Sequence, residues 1–145
     1  MAPMEAGTTD AIREFLMEMP IVKFAGVEVT NIGLGRLEVK MVLRPELCVT
    51  AGIAHAGIVG MLADLAGGGA CYTMLPPTWG TTTADHTIKF LAPAAGEHLL
   101  ARGRVVQSGK QQSIGAVDVI SVRDGVERLC ATGLVTMRNL APPAG

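Results

Sequence analysis

The chain has 145 residues, of which 49% are hydrophobic and 17% are charged, and its net charge is −1. This length and apolar content predict one globular domain with its own core and exclude a disordered chain. The balanced charge and the 3% of aromatic residues argue against nucleic-acid binding, which needs clustered basic residues and exposed rings.

The positions of the cysteines and the hydropathy of the chain indicate its redox compartment and whether a metal site or a membrane span is expected. The three cysteines are far apart, form no Cys-x-x-Cys pair and do not cluster with the histidines. We therefore expect no metal site and a reduced, cytoplasmic setting. Because Glu5, Asp10 and Glu14 lie in the N-terminal segment and it has no long apolar run, we expect no signal peptide there. The most apolar window, residues 58–75, contains Asp64 and four glycines, so we expect a buried core helix and no membrane span.

The predicted elements are two helices and six strands. Asp10 is predicted to cap a short helix over residues 11–17, which ends at Pro20. A loop over residues 45–52 precedes a long apolar helix from about Gly57 to Met74, which Pro76 and Pro77 stop. Six segments rich in strand-forming residues and bounded by turn residues are predicted strands: 27–32, 36–43, 81–91, 99–106, 112–122 and 128–137.

This order of elements predicts an α+β fold. An antiparallel sheet that wraps around one long central helix satisfies the order of one helix, two strands, a long helix and four strands. We place the folded domain at residues 11–138, between a flexible N-terminus over residues 1–10 and a disordered tail over residues 139–145.

Asp64 is the first candidate functional residue, because it lies in the middle of the apolar helix. Burying an unpaired carboxylate costs several kcal/mol. Helical spacing puts Gly57, Gly60, Gly67 and Gly68 on the same face, which leaves bare backbone beside the acid for a second helix or a substrate. A structural acid bonded to a hydroxyl is the alternative. The open approach favours a catalytic base or nucleophile whose pKa is raised by desolvation.

The start of this helix offers backbone donors. The Gly57 N–H lies at the positive end of the helix dipole, where it suits a developing oxyanion; an ordinary glycine turn is the alternative. Gly57 and Asp64 are separated by about 10 Å along one helix, so one carbonyl cannot contact both. A shared reaction centre would need the acid from one chain and the N–H from another. His55 either orients a substrate carbonyl or caps the helix.

The strand after this helix begins in a threonine run. Thr83 is predicted to share a face with Asp85, Thr87 and Lys89, and its hydroxyl could hold a water. Asp85 and His86 point to opposite faces of the strand, so they are not expected to form a catalytic pair.

The central motif resembles that of a known family. His55-Ala56-Gly57 followed by Leu62-Ala63-Asp64-Leu65-Ala66 is similar to the signature of hotdog-fold acyl-CoA thioesterases of the PaaI-like (phenylacetic acid degradation) family. The similarity continues through residues 88–94 and Gly109-Lys110, and covers residues 11–137. The resemblance implies a hotdog fold, a homodimer that commonly doubles to a homotetramer, and active sites between protomers. The substrate it implies is an acyl-CoA, with coenzyme A as part of the substrate and no separate cofactor.

The resemblance also implies roles for individual residues. Asp64 is the nucleophile or general base on the thioester, and the Gly57 N–H polarises the thioester carbonyl. His55 lies beside that carbonyl, and Thr83 helps to position water. The family places its nucleotide near the turn that contains Lys110. The candidates for contacts with coenzyme A are Lys110, Arg102, Arg104 and Lys89.

Two positions depart from the family pattern, and two alternatives remain open. Ala56 replaces the first glycine of the usual His-Gly-Gly, and Val49 stands where the family often has an asparagine; both departures bear on rate and substrate. One alternative is a hotdog hydratase or dehydratase acting on acyl thioesters, whose Asp or Glu and His spacings are not found here. The other is a non-catalytic acyl-CoA-binding module, which would not need Asp64.

Overall fold

The structure is a computed structural model, and it describes residues 6–145. Its elements in chain order are α1 (Ala6–Glu18), α2 (Pro20–Ala25), β1 (Val27–Gly33), β2 (Arg36–Val42), a 3-10 turn (Pro45–Leu47), β3 (Cys48–Thr50), β4 (Ile53–Ala54), α3 (Ala56–Tyr72), β5 (Gly80–Phe90), β6 (His98–Ser108), β7 (Gln112–Arg123) and β8 (Val126–Leu140). The central helix and the six long strands therefore lie where the sequence predicts them.

The six long strands form one antiparallel sheet around α3. Their order is β1-β2-β6-β7-β8-β5, and β3 pairs with β4 in a separate two-stranded sheet. Helix α3 packs against five of these strands: β2, β5, β6, β7 and β8. This confirms the predicted α+β architecture, and β5 is left as an edge strand. Among residues 6–145, no helix combines the length and the apolar character that crossing a bilayer would require.

Helix α3 approaches the sheet closely because glycines face it. A Cβ added to Gly103 of β6 would clash with the Ala66 carbonyl, and a Cβ on Gly115 of β7 would collide with the Gly67 carbonyl. Small residues on both sides thus allow helix backbone and strand backbone to come into near contact. Ala66 and Gly67 are consequently buried.

The same packing corrects the predicted face beside Asp64. Gly67 faces Val135, and Gly68 faces Met137; added Cβ atoms would lie only 2.9 Å and 3.0 Å from these side chains. Both glycines are therefore packed against side chains of the protein's own strand β8, although Gly68 also lines a cavity beside Asp64. Gly60 has no atom within 4 Å of such a Cβ, so the N-terminal half of the face is the open part.

The N-terminal region departs from the prediction. Helix α1 begins at Ala6, so Asp10 lies inside it and is not its N-cap, and residues 6–10 are helical. The prediction for residues 1–5 lies outside the described residues. Helix α1 is held by burial of Ile12 and Leu16 in the core. Pro20 begins α2, because proline suits the first position of a helix.

The C-terminal boundary also differs from the prediction. Strand β8 continues to Leu140, and Asn139 is buried. The Asn139 side-chain amide donates to the Gly109 carbonyl and to Ser113 Oγ, at 2.8 and 3.0 Å. The first two residues of the predicted tail 139–145 therefore belong to the sheet. Residues 141–145 form no helix or strand.

Candidate active site

Asp64 lies on α3 where the helix faces the beginning of β5. The Thr83 hydroxyl donates a hydrogen bond to Asp64 Oδ1 at 2.8 Å. The Asp64 side chain is 34% exposed. The prediction of a fully buried, unpaired acid is therefore wrong for the single chain. The hydroxyl partner expected of a structural acid is present, and so is the open approach expected of a catalytic acid.

A bulge in β5 sets which side chains face Asp64. Thr83 lies opposite Met137 of β8, whereas Asp85 lies opposite Thr136. Ala84 is therefore an extra residue in β5. An inserted residue of this kind reverses the facing of every side chain that follows it in the strand.

The bulge brings His86 to the same side as Thr83. His86 lies opposite the buried Val135, and its Nδ1 is 3.6 Å from Asp64 Oδ1. The prediction that Thr83 shares a face with Asp85, Thr87 and Lys89 is therefore wrong beyond Ala84. His86 is the site residue that sequence reasoning missed, because the alternation pattern of a strand carries no signal of a bulge.

His55 caps helix α3. Its Nδ1 accepts a hydrogen bond from the Gly57 N–H at 2.9 Å. The capping interpretation of His55 is confirmed, and the N–H predicted to face an oxyanion is engaged with the imidazole in the single chain. No acceptor within residues 6–145 is bonded to the Ala56 N–H. The unengaged donor at this helix start is therefore that of Ala56.

Two concave surfaces meet at Asp64. The first, which we call the apolar cavity, has a volume of about 370 Å³ and lies between α1, α2, α3 and β5. The second, which we call the groove, has a volume of about 610 Å³ and runs along the exposed side of α3 and β5. The groove is lined by Ala56, Gly57, Gly60, Met61, Asp64, His86, Ile88 and Phe90. Asp64 and Met61 line both.

Arg102 is held by two carboxylates on the face of the sheet opposite α3. Its Nε donates to Glu38 at 2.7 Å, and its two terminal nitrogens donate to both oxygens of Glu127 at 3.0 and 2.7 Å. These bonds lower the pKa of Glu38 and of Glu127 and raise the pKa of Arg102. Three of its five N–H donors are therefore bonded to protein carboxylates, and the assignment of Arg102 to coenzyme A stays a prediction.

The other predicted cations are not gathered at one place. Arg104 lies opposite Arg36 on the same outer face as Arg102. Lys89 lies opposite Thr132, on the face of β5 away from Asp64, so the site assignments of Arg104 and Lys89 are not supported. Lys110 is exposed in the turn between β6 and β7.

Replacing Arg102 by Met tests its structural role. We expect the variant to lose about 0.5–1 kcal/mol of unfolding free energy at pH 7, since solvent screens this partly exposed network. Because Arg102 lowers the pKa of Glu38, the stabilisation is present above the ordinary glutamate pKa and is lost as the pH falls through the lowered value. Urea unfolding should therefore give stabilities for variant and parent that converge as the pH falls below the ordinary glutamate pKa of about 4.3.

The matched control is Arg36→Met on the same face, since Arg36 makes no ion pair within residues 6–145. It should leave the stability nearly unchanged. A stability difference for the Arg102 variant that persists undiminished at low pH would contradict the assignment.

Comparisons with known proteins agree with this architecture. The family model of the thioesterase superfamily matches residues 51–127. A thioesterase family protein from Silicibacter pomeroyi has 29% identical residues and a TM-score of 0.91, over 94% of this chain and 100% of that one. The chain belongs to the thioesterase superfamily, and its fold is the hotdog fold.

One further solved structure supports the fold, and one curated relative matches part of the sequence. The E. coli PaaI protein from the phenylacetic acid degradation operon is 20% identical with a TM-score of 0.82, over 95% of this chain and 96% of its own. A Saccharolobus solfataricus protein that carries an esterase name is 30% identical over 89 residues, which is 61% of this chain. The match spans 63% of that relative, less than two thirds of its length.

Proposed function

We propose that this protein hydrolyses acyl-CoA thioesters to a free acid and coenzyme A, with Asp64 as the nucleophile or general base. The observation that carries the proposal is the position of Asp64 between the apolar cavity and the groove. A thioester laid across Asp64 would have its acyl group in the cavity and its thiol arm in the groove. Membership of the thioesterase superfamily supports the same class of reaction.

One oxygen of the Asp64 carboxylate is hydrogen-bonded, and the other is available for the reaction. Oδ1 accepts from Thr83, whereas Oδ2 has no hydrogen bond to the described part of the chain. Oδ2 would then attack the thioester carbon, or remove a proton from the attacking water. We assign Thr83 to the orientation of this carboxylate, and through it of the water.

The thioester carbonyl needs a donor for its developing negative charge. In the single chain the Gly57 N–H is already donated to His55. We therefore assign polarisation of the carbonyl to the Ala56 N–H, with the Gly57 N–H available when the imidazole turns away. The donor is on the first residue of α3, where backbone N–H groups are unpaired and the helix dipole is positive.

The apolar cavity defines the kind of acyl group. Its walls include Phe15, Met19, Ile21, Leu65 and Tyr72. Within the described residues, Asp64 is the single charged group in the lining. A charged acyl tail would lose its hydration there without gaining a partner. The acyl group is therefore apolar, either aliphatic or aromatic.

The site is completed by a second copy of the chain. Strand β5 is an edge strand of eleven residues, and residues 82–87 are all exposed. A long unpaired edge is the usual template for pairing with another strand. A two-fold pairing along β5 would cover the adjacent groove and bring the start of the partner's α3 toward Asp64. We propose a homodimer of this kind, which can double to a homotetramer.

Lys110 is the candidate contact for the phosphates of coenzyme A. We expect Lys110→Ala to raise KM for acyl-CoA by about three- to tenfold and to leave kcat nearly unchanged, since a solvent-screened charge contact is alike in ground and transition states. A short acyl-pantetheine thioester, which lacks the nucleotide, should be hydrolysed by parent and variant alike in steady-state assays. Lys40→Ala, on the outer face of β2, is the control. An equal loss of activity with both substrates would mean that Lys110 supports the fold and does not contact the phosphates.

The experiment that tests the proposed function is a panel of acyl-CoAs assayed for release of free thiol. Apolar aliphatic and aromatic acyl groups should be hydrolysed, and dicarboxylic acyl groups should not. A 2-enoyl-CoA that is hydrated without thiol release would indicate a hydratase. Saturable binding of acyl-CoA with no turnover of any substrate would indicate a non-catalytic acyl-CoA-binding module.

A further inference from the structure

We infer that His86 is a positioning residue for Asp64, an inference that rests on the proposed function. It holds the carboxylate in one orientation so that its second oxygen faces the reacting thioester. The observation behind it is the convergence of two groups on one oxygen. Thr83 donates to Asp64 Oδ1 at 2.8 Å, and His86 Nδ1 lies 3.6 Å from the same oxygen.

The bulge at Ala84 brings Thr83 and His86 to the same side of β5. In a strand of the same sequence without a bulge, His86 would project to the outer face, because it lies three positions after Thr83 and facing alternates along a strand. With it, Thr83 and His86 both face α3, and one carboxylate of that helix lies between them. The backbone irregularity therefore has a direct effect at the site, as bulges near active sites often do.

The distance defines what His86 can contribute. At 3.6 Å the contact is longer than a hydrogen bond, so the imidazole acts on the carboxylate electrostatically and without a direct bond. Ile88, Phe90 and Met61 are apolar neighbours in the same groove. The His86 side chain is 44% exposed in the single chain, and a partner chain over the groove would exclude water from it. Such an environment strengthens the interaction. Within the described residues, no lysine or arginine is in ion-pair contact with Asp64.

Substitution of His86 should change turnover and leave binding intact. We expect His86→Leu to lower kcat about five- to tenfold with KM changed less than about twofold, since the contact acts on the reacting group. His86→Asn puts an amide N–H near the place of Nδ1 and should retain most of the parent kcat. Thr87→Leu, one residue along on the outer face, is the control for strand stability and should match the parent in kcat and melting temperature.

A double variant tests whether His86 acts through Asp64. Groups that act as one unit give non-additive losses. In the Asp64→Asn background, His86→Leu should therefore lower the residual rate by less than about twofold. A full additional five- to tenfold loss, or an unchanged kcat in His86→Leu alone, would overturn the inference.

An NMR measurement tests the same contact without catalysis and without changing His86. The imidazole nitrogen signals of His86, assigned with the Asn variant, should shift when Asp64 is replaced by Asn, whereas those of His98 should not. No shift at His86 would overturn the inference even in an active enzyme. A clear shift in a protein that hydrolyses no acyl-CoA would support the contact between Asp64 and His86 but reject the proposed function.

Discussion

Asp64→Asn is expected to lower kcat for acyl-CoA hydrolysis at least about 100-fold, as expected for loss of a nucleophile or general base. The amide keeps the shape of the carboxylate, and its oxygen still accepts from the Thr83 hydroxyl. The fold should therefore be retained, with a melting temperature close to that of the parent. Steady-state thiol release and a thermal melt on the same preparation give both numbers.

The matched control is Asp85→Asn, which makes the same chemical change on the outer face of β5. It should hydrolyse acyl-CoA at the parent rate. An Asp64→Asn protein with parental kcat would reject the assignment of Asp64. Equal losses in the two variants would mean that general charge, and not the position of Asp64, governs the rate.

A heterodimer of two inactive chains is expected to recover activity if the site is shared. One chain carries Asp64→Asn. The other carries Ala56→Pro, which removes the N–H that has no acceptor in the single chain. Proline suits this first helical position, and the extended conformation of His55, with φ −62° and ψ 141°, is compatible with a following proline. Each homodimer should be inactive, whereas the heterodimer has one intact site and should show about half the parent kcat per dimer.

The measurement uses co-expression with two different tags, so that the purified species contains one chain of each kind. Light scattering confirms its mass as a dimer. An inactive heterodimer of two well-folded chains would place both groups in one protomer. A parent protein that is a fully active monomer would reject the shared site altogether.

The sequence by itself determined the architecture and pointed to the main candidate site residue. The six strands were predictable because their side chains alternate and glycine-containing turns separate them. Helix α3 was predictable because an apolar run ends at Pro76 and Pro77, and Asp64 was conspicuous as the charge within it. These signals are local, since each depends on residues within a few positions of one another.

The tertiary structure decided which groups surround Asp64. The bulge at Ala84 depends on the pairing of β5 with β8, and it moved His86 toward the acid and left Lys89 on the far face. The pairing of Arg102 with Glu38, 64 positions away in sequence, was likewise decided by the tertiary structure.

Tertiary contacts also decided which backbone groups of α3 remain accessible. Gly67 is covered by Val135 of β8, and the Gly57 N–H is bonded to His55. Strand register and long-range pairing are set by the whole packed sheet. Side-chain spacing along one element therefore could not predict them.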